Sequence, residues 1–80
     1  MIKIEIQYFA ALREARGLSR ETVSTKATTP AALYEELSVM HKFKLPLSDV
    51  KAAVNNEVAE LDQPLNDGDT VVFIPPVAGG

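Results

Sequence analysis

Leu65-Asn66-Asp67-Gly68-Asp69-Thr70-Val71-Val72-Phe73-Ile74-Pro75-Pro76-Val77-Ala78-Gly79-Gly80 closes the chain, and its reading decides the architecture. Asn66 to Asp69 is turn chemistry, because asparagine and aspartate side chains bond to nearby backbone and glycine accepts a positive φ. Thr70 to Ile74 is the strongest strand in the sequence, built of β-branched and aromatic residues. Pro75 and Pro76 lack N–H donors and end it. Val71 and Phe73 point to one face and Val72 and Ile74 to the other, yet all four are apolar. A sheet covered by a helix on one side only should read polar on its second face. Two explanations stand. Either a central strand tolerates apolar residues on both faces, or an exposed apolar patch lies beside the tail and marks a protein-binding surface. Phe9 is placed to join such a patch.

Past the prolines, residues 77–80 are expected to form a flexible tail after one domain spanning residues 1–76. Gly79 and Gly80 carry no side chain, so such a tail enters a channel too narrow for a β-carbon. The last carbonyl is then open to attack from either side, next to a bare main-chain carboxylate.

Working outward from that strand, Ile2, Ile4 and Ile6 alternate with Lys3, Glu5 and Gln7, the period of a half-buried strand. Tyr8 to Arg16 reads as a short helical or turn-like connection closed by Gly17. Arg20 to Thr25 is polar and β-branched, an edge strand paired back onto the first. Thr28-Thr29-Pro30 is a helix start, with a threonine cap and a proline in the first turn. Leu33, Leu37 and Met40 then form one apolar stripe, with His41 and Lys42 in the last turn, where positive charge suits the helix dipole. Pro46 stops any continuation. Lys51 to Val54 and Glu57 to Ala59 are short strands about an Asn55-Asn56 turn. One striped helix against one sheet makes a two-layer α+β domain. The β-grasp (ubiquitin-like) fold fits this order best: a mixed sheet on one main helix, with first and last strands parallel at its centre.

Eighty residues, 46% hydrophobic and 24% charged, describe one ordinary globular domain. A net charge of −3 offers no footprint for a phosphate backbone, so nucleic acid is not an expected partner. The apolar run Val71 to Val77 contains two prolines and falls well short of a membrane span of about 20 residues. No membrane partner is expected, and the cytoplasm is the expected location. There is no cysteine, which excludes an iron–sulfur β-grasp and a thiol nucleophile on this chain. Asp67 and Asp69 are explained by the turn they flank, and no metal site is expected. His41, the one histidine, has no cysteine partner and is read as a helix-end residue. Arg13, Arg16, Arg20 and Lys26 are read chiefly as a solvated basic face. No nucleophile, base and orienting group can be assembled. The functional atom is therefore expected to be the terminal carboxylate of Gly80. A carboxylate is ionised at neutral pH and is a poor acyl donor until it is activated, for instance as an adenylate.

Tyr8-Phe9-Ala10-Ala11-Leu12-Arg13-Glu14, Ala53-Val54-Asn55 and the run from Leu65 to Gly80 resemble the small, sulfur-carrier subunit of molybdopterin synthase, in the MoaD/ThiS sulfur-carrier family. The resemblance spans nearly the whole chain. Tyr8 stands where the family often has phenylalanine, and Ala78 where serine or threonine is frequent.

The resemblance implies that a ubiquitin-activating-like adenylyltransferase uses ATP to form a glycyl adenylate at Gly80. A persulfide sulfur donor then converts it to a thiocarboxylate. It implies that the tail (Pro75, Pro76, Val77, Ala78, Gly79) enters the large, catalytic subunit, in a heterotetramer of two small and two large subunits. There the sulfur passes to cyclic pyranopterin monophosphate to build molybdopterin. On this scheme the chain binds no cofactor, the catalytic residues belong to the large subunit, and Phe9, Val58 and Ile74, with Val72 nearby, dock the partners. Two alternatives share the fold and the diglycine. A thiamine-pathway sulfur carrier usually lacks the Phe9-to-Glu14 segment and the double proline, whereas a ubiquitin-like modifier would join Gly80 to lysines of target proteins.

Overall fold

The alternation at the N-terminus becomes strand β1 (Ile2–Tyr8), with Ile4, Ile6 and Tyr8 buried on one face. This is seen in a computed structural model that describes residues 1–76; the expected tail lies outside the described residues. Strand β2 (Arg20–Thr25) pairs antiparallel with β1 on one side. The C-terminal strand β5 (Thr70–Ile74) pairs parallel with β1 on the other, Tyr8 lying opposite Phe73. Strand β3 (Lys51–Val54) runs antiparallel to β5, and β4 (Glu57–Ala59) antiparallel to β3 at the far edge. The order is β2-β1-β5-β3-β4. Parallel neighbours need a long crossover, and here the whole chain between β1 and β5 supplies it.

Helix α1 (Ala10–Arg16) is short and buries only Leu12; Gly17 closes it at φ 82°, its N–H bonded to the carbonyl of Arg13. Helix α2 (Pro30–His41) starts as expected, with the Thr29 hydroxyl accepting from the Ala32 N–H and proline in the first turn. Its buried face differs from the expected stripe. Pro30, Leu33, Tyr34 and Leu37 are buried, whereas Met40 is 63% exposed. The reason lies after the helix. Lys42 turns the chain in the left-handed region (φ 55°), well before Pro46, and brings Phe43 back. The Phe43 ring then sits 5.7 Å from Tyr34 and 6.1 Å from Tyr8, filling the space expected for Met40. A short 3-10 turn, Leu47–Asp49, leads into β3.

Leu37 is enclosed in the core with Ile4, Ile6, Leu33 and Phe73. Leu37→Ala should lower the unfolding free energy by about 2–5 kcal/mol, through lost transfer energy and a cavity that cannot fully collapse. Urea unfolding checks this, and a loss under about 0.5 kcal/mol would contradict the packing.

Arg16 departs from the solvated face expected of it. Its Nε and Nη2 each donate to Glu21 at 2.8 Å, and the buried Tyr8 hydroxyl donates to Glu21 Oε2 at 2.7 Å. The cluster ties the end of α1 to β2. Arg16 holds the Glu21 carboxyl below its ordinary value; burial opposes this and the Tyr8 bond assists it. A carboxyl depressed on folding contributes stability above its unfolded pKa and loses it as pH falls through the folded one. Glu21→Gln should therefore cost about 1.5–3 kcal/mol at neutral pH, with the gap to the parent closing in acid well below the ordinary carboxylate range. Thermal melts of both proteins across that range check it; a pH-independent gap would show that charge plays no part.

Asp67 and Asp69 serve their turn. Asp67 Oδ1 accepts from the Lys3 N–H at 2.7 Å and Asp69 Oδ2 from the Asn66 N–H at 2.8 Å, while Gly68 takes φ 89°. Asn55 bonds Asp69 and the Thr70 N–H, joining this turn to the β3–β4 hairpin.

Candidate partner-binding face

Because side chains alternate along each strand, the burial of Ile6, Val71, Ala52 and Val54 against α2 fixes what faces outward. The pairing registers then draw one line across the open face of the sheet. Arg20 lies opposite Gln7, Gln7 opposite Val72, Val72 opposite Ala53, and Ala53 opposite Val58. One step along β5, Ile74 lies opposite Lys51. Val58 is 85% exposed and Ile74 half-buried. Val72 is only 9% exposed but stands apart from the core cluster; its neighbours on the open face screen it. The strand therefore does carry apolar residues on both faces, and the second face also leaves apolar surface uncovered.

Phe9 continues the outward series of β1 and is 47% exposed. Its presentation depends on the corner after it. Ala10 has φ 51°, a left-handed conformation that costs a β-carbon-bearing residue about 1–2 kcal/mol. The Phe9 carbonyl accepts from the Leu12 and Arg13 N–H groups at 3.1 and 3.4 Å, and the Phe9 side chain makes no capping bond. The corner thus starts α1 and leaves the ring beside the C-terminal end of β5.

Of the residues expected at a docking surface, Phe9, Val72 and Ile74 cluster at that end, with Val58 two strands away in the same row as Val72. Ala53 bridges Val72 and Val58, and Lys51 borders Ile74; the sequence reading did not single out either. Alternation within Lys51–Val54 carries the signal for both, since it turns Ala52 and Val54 inward. Val77, Ala78, Gly79 and Gly80 lie outside the described residues. Pro75 and Pro76 follow Ile74 directly and lie outside the strand. Among the described residues no group of three or more histidine, aspartate or glutamate side chains is placed to hold a metal. His41 packs against Phe43, ring centres 5.9 Å apart, on the helix side of the molecule.

A mixed five-stranded sheet with a parallel central pair, embracing one main helix, defines a β-grasp, ubiquitin-like domain. Solved structures share it. A putative molybdopterin converting factor, subunit 1, from Pyrococcus furiosus superposes with a TM-score of 0.79 at 32% identity, covering 96% of this chain and 100% of that one. A complex of subunits 1 and 2 of the molybdopterin-converting factor from Helicobacter pylori contains a match with a TM-score of 0.68 at 28% identity, covering 99% and 100%. In sequence, the molybdopterin synthase sulfur carrier subunit of Escherichia coli is 39% identical over 80 residues, 96% of this chain and 99% of that protein. The ThiS family model matches residues 6–80, and the chain belongs to the ThiS family.

Proposed function

We propose that this chain is the sulfur-carrier subunit of a molybdopterin synthase, with the carboxylate of Gly80 as its working group. The observation that carries the reading is the near end-to-end match to the Escherichia coli sulfur carrier subunit. The open apolar face beside the exit of β5 supports it, because a carrier needs a surface by which partners align its tail.

In this scheme the ionised Gly80 carboxylate attacks the α-phosphate of ATP on an activating enzyme and pyrophosphate leaves. The resulting glycyl adenylate has a good leaving group where the free carboxylate had none, so the terminal sulfur of a persulfide displaces AMP to give an acyl disulfide. A donor-side thiol then attacks its outer sulfur, releasing the Gly80 thiocarboxylate and leaving a disulfide on the donor. The thiocarboxylate then enters the large subunit ahead of Gly79, where the absence of a β-carbon allows close approach. Its sulfur attacks cyclic pyranopterin monophosphate there. Phe9, Ile74 and Val58 form the contact surface, with Val72 and Ala53 supporting it from beneath. The Helicobacter pylori complex of subunits 1 and 2 favours a large-subunit partner. The assembly we propose is a heterotetramer of two small and two large subunits. The cytoplasm is the proposed location; among the described residues no helix is long and apolar enough to cross a membrane.

The test is intact-mass measurement after incubation with an activating enzyme, ATP and a sulfur source. A gain equal to the exchange of one oxygen for sulfur, localised to the C-terminal peptide, is expected. An unchanged mass under conditions that load an Escherichia coli carrier would refute the reading.

A further inference from the structure

On the helix side, opposite the open face of the sheet, α1 and the segment following α2 enclose a cleft of about 520 Å³. Open clefts of about 300–1,000 Å³ are the size that takes small organic ligands. Leu12, Ala15, Phe43 and Leu45 give it apolar walls. Phe43 is packed there, its ring in edge and tilted contact with Tyr8 and Tyr34 of the core. A wall built this way loses little freedom when a ligand packs on it.

The ionisable side chains lining the cleft are His41, Lys42 and Lys44, with no carboxylate among them. This stands out in a chain of net charge −3. Among the described residues neither lysine makes an ion pair; the ion pairs there are Arg16–Glu21 and Arg20–Glu5. The C-terminus of α2 also faces this region, with a partial charge of about −0.5, which two full positive charges outweigh.

Lys42 adds an independent observation. It occupies the left-handed helix-closing position at φ 55°, where glycine is the usual residue because a β-carbon is penalised. A positive side chain there suits the negative end of the α2 dipole, but that benefit does not remove the backbone cost. Lys42 also lines the cleft, so the same position contributes a positive charge to it.

We infer that the cleft between α1 and the Lys42–Leu45 segment is a binding site for a small amphiphilic organic anion, whose apolar body lies on Phe43, Ala15 and Leu45 and whose carboxylate meets Lys42 and Lys44. The site is separate from the docking face on the other side of the sheet, so the ligand can be held while that face is occupied.

The probes are phenylbutyrate, phenylbutanol and phenylbutylamine, which share an apolar body and differ in the charge of the head group. Each is titrated into the isotope-labelled full chain and followed by amide chemical shifts. Phenylbutyrate should saturate, moving the amides of Leu12, Ala15, Phe43 and Lys44 while leaving Val58 and Ile74 in place. It should bind about tenfold more tightly than the alcohol, the gain expected from two partly exposed ion pairs. The amine should bind most weakly. Lys44→Ala and Lys42→Gly should each shrink the advantage of the carboxylate over the alcohol. Lys42→Gly should also melt no lower than the parent, because glycine suits its backbone. A more stable protein that binds the anion less well is an outcome that a merely structural lysine does not produce. Equal binding of acid, alcohol and amine, absence of saturation, or shifts centred on Val58 and Ile74 would overturn the inference.

Discussion

Deleting Gly80 should leave the melting transition where it is and reduce thiocarboxylate formation by more than about 100-fold, since misplacement by even 1 Å can cost that much. The core is complete without the tail: its members run from Ile4 to Phe73, and β5 ends at Ile74. Removing one residue moves the carboxylate back by about 3.5 Å along an extended chain. Reacting atoms must come within about 3–3.5 Å of each other, so the shortened tail misses the nucleotide phosphate on the activating enzyme. Appending one residue should be as damaging, because it relocates the carboxylate and adds bulk where only glycine passes. Intact mass, molybdopterin yield and melting temperature, measured on parent, shortened and lengthened chains, separate these effects. A shortened chain that still accepts sulfur and makes molybdopterin at the parent rate would end the carrier reading. A shortened chain that melts several degrees lower would show that the tail has a structural role.

The sheet was legible because its signals are local. Ile2, Ile4 and Ile6 alternate within one strand, and the Thr29-Pro30 start of α2 needs no partner to be recognised. Asn55 and Asn56 tolerate positive φ, and they take 52° and 73° at the tip of the β3–β4 hairpin. The parallel placement of β5 on β1 followed from the order of elements as a whole. Where the reading failed, the deciding contact was distant in sequence. Met40 fits a helical stripe, yet Phe43 reaches the same space from beyond the helix, and nothing in helical spacing announces that return. The Tyr8–Glu21–Arg16 cluster joins three elements, so Arg16 looked like one surface cation among several.

The candidate face was legible only in part, for a related reason. Four consecutive apolar residues in β5 signalled an uncovered surface. The row it belongs to depends on the registers of β1, β3 and β4, which sequence alternation does not supply. Those registers add Ala53 and Lys51, and they bring Val58 from a hairpin to the same face. They also explain why Val72 and Ile74 differ. Val72 has strand neighbours on both sides in Gln7 and Ala53, whereas Ile74 lies where β1 has already turned into the Phe9–Ala10 corner.

That difference makes Ile74 the residue at which the proposed docking face is best tested. Ile74→Lys should weaken binding to the large subunit by more than about 2 kcal/mol, the range of an interface anchor, while leaving the fold nearly intact. The side chain faces away from the core cluster, so replacing it opens no internal cavity. The new ammonium stands opposite Lys51 across the β3–β5 pair, and like charges in that position destabilise by about 0.2–1 kcal/mol. Ile74→Glu removes even that cost, because glutamate opposite Lys51 forms a favourable cross-strand pair. Both variants place a charge in the apolar contact, so both should lose binding, although only one strains the sheet. Titration calorimetry with the large subunit, alongside circular dichroism melts, distinguishes the cases. If Ile74→Glu melts as the parent does and binds as tightly, the face does not dock this partner. Unfolding of both variants would mean that Ile74 holds the sheet together, and the docking surface would have to centre on Phe9 and Val58 instead.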